Sequence, residues 1–329
     1  MAITVLNERE LRDSVKLDRE AIDAVADAFT ALQSGAVQMP PVVHLAVPDH
    51  RGEMDVKTAY VPGFDSFALK VSTGFFDNPK QGLPSLSGLM NLFDSKTGRV
   101  RAVLLDNGYL TDVRTAAAGA VAADHLARRD AAIAAVLGTG LQARLQIEAL
   151  SLVRKLEHVR VWGRDAGKAE AYAAEMREAL GIEVTPCRRG EDAVRGADVV
   201  VTTTPASEPI LWADWLEPGM HVTAMGSDAA DKNELDPQMF ARADRVIVDS
   251  RAQCRHLGEL RSAVAAGAIA EDHPLLELGD LTAGRARGRD DDRQITLCDL
   301  TGTGVQDTAI ATIAYAVASA KGYGVRVET

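Results

Sequence analysis

Residues 133–143 read IAAVLGTGLQA, and the reading of this stretch decides the fold. An apolar run suited to a strand buried on both faces passes directly into Gly138-Thr139-Gly140, and a helix follows from Leu141. The pattern is G-x-G-x-x-A, with Ala143 in the third small position. Gly138 permits the tight turn, Gly140 lets the backbone approach a pyrophosphate that caps the helix, and Ala143 keeps the helix close to the strand. The motif alone is a weak signal. Its strand before and helix after make it a dinucleotide-binding turn rather than an ordinary strand–helix connection.

The next strand, in HVRVWGRD (158–165), should end beside the adenosine ribose, about 20 residues beyond the glycines. An acid there bonds the 2′-hydroxyl of NAD, whereas an arginine accommodates the 2′-phosphate of NADP. Gly163 is followed by Arg164 and Asp165, so both cofactors stay open. The strands ending at Thr203-Thr204 and at Met225-Gly226-Ser227 should reach the carboxyl edge of the sheet, where ligands bind in such folds.

Outward from this core, strand-like runs (IAAVL, VRVW, ADVVVTTT, HVTAMG, RVIVD, ITLCD) alternate with helical stretches over roughly 119–304. That alternation predicts right-handed crossovers and a parallel sheet. The chain before about residue 115 is different. Residues 18–33 carry Ile22, Val25, Phe29 and Leu32 on one helical face, with Gly35 as a stop signal. Extended pieces follow (VVHLAV, EMDVKTAYVP, FALKVST, SGLMNLFD, RVRAVLLD), with DSKTG (94–98) as a hairpin turn, which predicts an antiparallel or mixed sheet. VQDTAIATIAYAVASAKGYG reads as one C-terminal helix, and GRARGRDDDRQ as a solvated loop.

The 329 residues, 47% of them hydrophobic, favour two globular domains. A net charge of −11 argues against nucleic-acid backbone binding. No apolar run of roughly 18 residues predicts a membrane span, and the N-terminal stretch lacks the apolar core of a signal peptide. Cys187, Cys254 and Cys298 lie far apart, as free thiols of a reducing cytoplasm would. No His or Cys spacing suits a metal.

Lys70 in FALKVST, DVRTAAAGAVAADHLA (112–127), GTGLQA (138–143), GSDAADKNEL (226–235), VDSRAQC (248–254) and GVQDTAIA (304–311) keep the order and spacing of the ornithine cyclodeaminase/mu-crystallin family, which the chain resembles over nearly its whole length. DVKTAYVPG, GFFDNP and LLDNGYLTDVRTAAAGA resemble its ectoine-utilisation branch in particular. The resemblance implies a homodimer of α/β class. Its Rossmann NAD(P)-binding domain (116–304) would be joined to a mixed α+β substrate-binding and dimerisation domain (1–115 and 305–329). It also implies hydride transfer between the cofactor and the α-carbon of a small imino or amino acid. Lys70 and Arg114 match the family's ligands for the substrate α-carboxylate, Asp228 its proton-relay acid, and Gly138, Thr139, Gly140, Leu141 and Gln142 its pyrophosphate loop. Thr115 and Asp307 are further candidate cofactor contacts, and Lys70 joins Asp228 as a catalytic candidate.

Each of these residues also has a bland reading. Arg114 is read as opening its helix, where the helix dipole disfavours a cation; a bidentate carboxylate would explain it, and so would a pair with Asp112. Lys70 could be a solvated edge lysine. Asp228 could cap a following helix with Lys232 as partner, and Asp307 could cap the last helix. The departures from the family pattern concern the substrate. MPPVVHLAV offers His44 where relatives often have an arginine, and Lys57 stands where many carry an apolar residue. Lys57, Lys70, Arg114 and His44 exceed what one carboxylate needs, which points to a dicarboxylic imino acid such as iminosuccinate. The competing reading pairs Lys57 with Asp55 or Glu53. The function expected is therefore an NAD(P)H-dependent imine reductase or amino-acid dehydrogenase. A cyclodeaminase acting on a diamino acid and a non-catalytic small-ligand binder are the alternatives.

Overall fold

A computed structural model describes residues 2–328. Contacts within the chain divide it into two units: residues up to Arg114 together with those from Thr303 onward, and Thr115–Gly302.

The first unit holds a seven-stranded sheet. Its strands are β1 (Ala2–Asn7), β2 (Val43–Val47), β3 (Gly52–Ala59), β4 (Ser66–Phe75), β5 (Leu86–Asp94), β6 (Val100–Leu105) and the last strand, Val325–Glu328. From edge to edge the order is Val325–Glu328, β1, β6, β5, β4, β3, β2. Strands β2 to β6 form an antiparallel meander, while β1 lies parallel to β6, so the sheet is mixed. Asp94 closes the expected hairpin: its backbone N–H donates to the Arg99 carbonyl, and its carboxylate accepts from the Lys96 and Thr97 N–H groups. The helix Arg19–Leu32 starts on an Asp18 cap, as its sequence pattern requires.

Strand alternation decides what each face of this sheet does. One face buries Leu6, Ala68, Met90, Leu92, Ala102 and Leu104 against the C-terminal helix Gly304–Ala320. That helix approaches closely because Gly304 has no side chain: a Cβ there would lie 2.4 Å from the Thr58 carbonyl oxygen. One turn later Thr308 accepts from the Ala68 N–H and donates to the Ala59 carbonyl. Both groups belong to one cross-strand pair of β3 and β4, so the helix is pinned against this point of the sheet.

The second unit holds eight parallel strands: β7 (Ile133–Leu137), β8 (His158–Trp162), β9 (Glu183–Pro186), β10 (Val199–Thr202), β11 (His221–Ala224), β12 (Arg245–Val248), β13 (Leu276–Glu277) and β14 (Thr296–Asp299). Their order is β13-β12-β14-β11-β10-β7-β8-β9. Chain order reverses between β7 and β10, the switch point at which doubly wound sheets bind ligands. This is the Rossmann-type domain expected from IAAVLGTGLQA. Apolar residues on both sides of the sheet form its core, including Ala135, Leu137, Val200 and Val222 on one side and Val136, Val159, Val161 and Val201 on the other. Among the described residues no helix is long and apolar enough to cross a membrane.

Candidate active site

In the second unit, Gly138 leaves β7 at φ +128°, a conformation that favours glycine, and a Cβ there would meet the Thr203 hydroxyl at 2.4 Å. Gly140 begins the helix Leu141–Ser151 without a side-chain cap, and nothing lies within 4 Å of where its Cβ would be. No side chain caps the first N–H groups of that helix, which suits a pyrophosphate. Ala143 is buried, and the Tyr172 hydroxyl donates to its carbonyl. The loop opens into a cleft of about 480 Å³ lined by Gly138–Gly140, Trp162–Asp165, Lys168 and residues 203–210. The residues present fit a dinucleotide.

The loops beyond β10 and β11 are joined by a residue the sequence reading passed over. Glu234, fully buried, accepts from the Thr202 and Thr204 hydroxyls and from the N–H groups of Thr204 and Gly226. Burial pushes its carboxyl up to about 7, and these donors oppose the shift. Its own backbone N–H is held by Glu259, another carboxyl that burial raises, to about 8. No periodicity marks Glu234 in DKNEL. Its partners lie on strands elsewhere in the sequence.

Asp228 follows Gly226 in a loop and caps no helix. Its carboxylate accepts from Lys232 Nζ at 2.7 Å and is 43% exposed. Ser227 is buried, and its hydroxyl donates to the Lys232 carbonyl. Met225 continues the sheet by donating its N–H to Thr202. Leu141 and Gln142 open the helix after the loop, and Leu141 is exposed. Thr115 lies on the helix Tyr109–Leu126, where its carbonyl accepts from Gln146 Nε2. Asp165 caps the helix Ala166–Leu180 by accepting from the Lys168 N–H.

In the first unit, Lys57 on β3 stands directly opposite Lys70 on β4, on the face that the C-terminal helix covers. Like charges placed this way repel. Asp307, on the first turns of that helix, lies between them and the helix Tyr109–Leu126: its carboxylate is 3.1 Å from Lys70 Nζ and 2.9 Å from Arg114 Nε. Neither contact is aligned as a hydrogen bond, since Arg114 Nε and both Asp307 oxygens lack an aligned partner. Exposure is 6% for Lys57, 1% for Lys70, 5% for Arg114 and 0% for Asp307, so water screens none of these charges. Burial, then Arg114, bring the Lys70 ammonium down to about 7, against the pull of Asp307. Burial raises the Asp307 carboxyl, but Lys70, Arg114 and Lys57 together hold it below its ordinary value.

Two expectations change here, and a third residue gains a partner. Asp307 does not cap its helix. Thr303 does, in a capping box with Gln306, and Asp307 is the counter-ion of the lysines and Arg114. Arg114 sits in the second turn of a helix that already starts at Tyr109, with the Leu110 N–H held by Asp106, so the dipole argument lapses. His44, on edge strand β2, is half exposed and pairs through Nδ1 with Asp55 at 2.8 Å. That pair lies on the same sheet face as Lys57, two residues along β3.

The glycine-loop cleft on a doubly wound parallel sheet, with a second unit carrying a buried cationic cluster, defines an NAD(P)-dependent oxidoreductase. The chain belongs to the Ornithine cyclodeaminase/mu-crystallin family, whose profile matches residues 2–322. It is 58% identical over 325 residues to a putative dehydrogenase of Rhizobium meliloti (strain 1021), covering 99% of this chain and 98% of that one. It is 56% identical over 321 residues to an uncharacterized cyclodeaminase of Sinorhizobium fredii (strain NBRC 101917 / NGR234), covering 97% of each. Among solved structures it resembles Thermococcus litoralis Delta(1)-pyrroline-2-carboxylate reductase in complex with NADH and L-proline, with TM-score 0.94, 31% identity and coverage of 99% and 100%. It also resembles an archaeal alanine dehydrogenase dimer with bound NAD (TM-score 0.92, 34% identity, coverage 100% and 99%). The third is the iminosuccinate reductase of Paracoccus denitrificans in complex with NAD+ (TM-score 0.91, 32% identity, 100% of each chain).

Proposed function

We propose that the protein is an NAD(P)H-dependent imine reductase that converts a small dicarboxylic α-imino acid, of the iminosuccinate type, to the amino acid. The observation that carries this reading is the charge set at Lys70 and Asp307: three buried cations act there with one buried carboxylate. A buried surplus of positive charge is costly until an anion arrives. One substrate carboxylate suits Arg114 and Lys70, and a second suits Lys57. The reductases among the solved neighbours support the reaction class.

When bound, the dinucleotide would supply the hydride for the imine carbon, and a proton taken up at nitrogen would complete the change from C=N to CH–NH. Arg114 and Lys70 hold the α-carboxylate and orient the imine beside it. The Asp228 carboxylate, fixed by Lys232, stabilises the iminium charge and passes the proton on; the Lys70 ammonium, lowered to about 7, is a second donor at neutral pH. The name of the Sinorhizobium relative favours a second reading, a redox-neutral cyclodeaminase. A diamino acid would bring another cation toward Lys57, Lys70 and Arg114, and that repulsion favours the reductase.

The outer face of the seven-stranded sheet supports a homodimer. Val43, Leu45, Val56, Val71, Leu89 and Val103 share it by register, and none of them is fully buried. The alanine dehydrogenase neighbour is a dimer. Three free thiols, two of them buried, fit a reducing cytoplasm. The test is stoichiometry. Mixing oxaloacetate and ammonia with reduced dinucleotide should yield one amino acid per dinucleotide oxidised. Ammonia release from a diamino acid without net oxidation would instead establish the cyclodeaminase.

A further inference from the structure

We propose that the dinucleotide this chain selects carries a 2′-phosphate, that is NADPH, and that Arg164 and Lys168 grip it. The inference concerns the adenosine end of the cofactor and is independent of which imine is reduced. Selectivity for NAD needs an acid that accepts from the ribose 2′-hydroxyl, just past the second strand of the Rossmann unit. Here that strand is β8, and the residue after Trp162 is Gly163. Its packing is tight: a Cβ would stand 2.7 Å from Thr139 Cγ2, so a side chain at this position would have to displace that methyl. The acid two residues on, Asp165, has Oδ1 committed to the Lys168 backbone N–H at 3.1 Å, capping the helix Ala166–Leu180. The other acid lining the cleft, Glu208, comes from the segment after β10 and not from the β8 end.

The cations at that end are placed differently. Arg164 and Lys168 both line the cleft that holds Gly138–Gly140, both are exposed, and neither forms an ion pair among the described residues. They stand four residues apart across the start of the helix, whose first turn itself favours an anion. Two exposed cations suit a phosphate dianion, while the acid at this end of the cleft has one carboxylate oxygen already taken by the helix cap. The spacing R-x-x-x-K was visible in the sequence. What it lacked was the cap that occupies Asp165.

Isothermal titration of the full-length protein with 2′,5′-ADP and with ADP tests this without turnover. The wild type should bind 2′,5′-ADP at least ~10-fold more tightly than ADP, the size expected of one charge-assisted contact. The double variant Arg164→Ala/Lys168→Ala should bring the two ligands to within about threefold while keeping its affinity for ADP, which also reports that the cleft is folded. Equal affinities in the wild type would overturn the proposal, as would a 2′-phosphate preference that survives in the double variant. Imine reduction with a preference for NADH would overturn it too, and would leave the proposed reaction standing.

Discussion

Asp307 carries its charge where no water reaches it, which it can do because Lys70 and Arg114 flank it. The same arrangement makes Lys70 the titrating group of the site. Its pKa in the folded protein is about 7, below the ordinary lysine value, and in the proposed reading the charged form is the one that holds a carboxylate. Affinity for an inert dicarboxylate such as succinate should therefore be constant below this pKa. Above it, affinity should fall by about tenfold per pH unit. Asp307→Asn removes the charge that opposes the shift, so the break should move to lower pH. Binding measured between about pH 6 and 9 checks both, and a pH-independent affinity in the wild type would contradict the role of Lys70. The three cations were named together from the sequence, Lys70 and Arg114 by the family pattern and Lys57 as a departure from it; that Lys57 and Lys70 face each other came only with the strand register. The place of Asp307 among them was not legible, because nothing local says which strand residues a helical acid will meet.

Among the elements, the C-terminal helix brings Asp307 to the lysines, and Glu234 ties together the loops beyond β10 and β11. Gly304→Ala pushes a methyl into the Thr58 carbonyl and should cost about 1–3 kcal/mol in urea unfolding. An unchanged midpoint would show that the helix can stand off the sheet. Glu234 has a folded pKa raised to about 7, so between the unfolded value, near 4.5, and about 7 the folded state keeps a proton that the unfolded state loses. With more protons bound in the folded state, its contribution to stability falls as pH rises through that window. The wild type should therefore lose stability relative to Glu234→Gln from about pH 5 to 7, by unfolding midpoints taken in parallel. A constant difference would mean that Glu234 is charged throughout. The major strands and both long-helix patterns were readable from period and turn residues. The sequence reading left β1, β9, β13 and Val325–Glu328 unassigned: all but β1 lie at sheet edges, and in β1 only Leu6 is fully buried, so burial imposes little pattern.

For the whole molecule, the outer face of the mixed sheet sets the assembly expected. Sedimentation should give twice the chain mass, and Val71→Glu, in the middle of that face, should give the single-chain mass with the fold retained by circular dichroism. A wild-type protein that sediments as one chain would leave the face unexplained. The functional claim is larger: the buried cations are matched to a substrate with two carboxylates. It is tested most directly by kcat/KM for the imine of oxaloacetate against the imine of pyruvate, in wild type and in Lys57→Met. The account predicts that the wild type prefers the dicarboxylic imine. It also predicts that Lys57→Met loses ~10-fold or more on that substrate and little on the other. Equal losses on both imines, or a wild type indifferent to the second carboxylate, would contradict it.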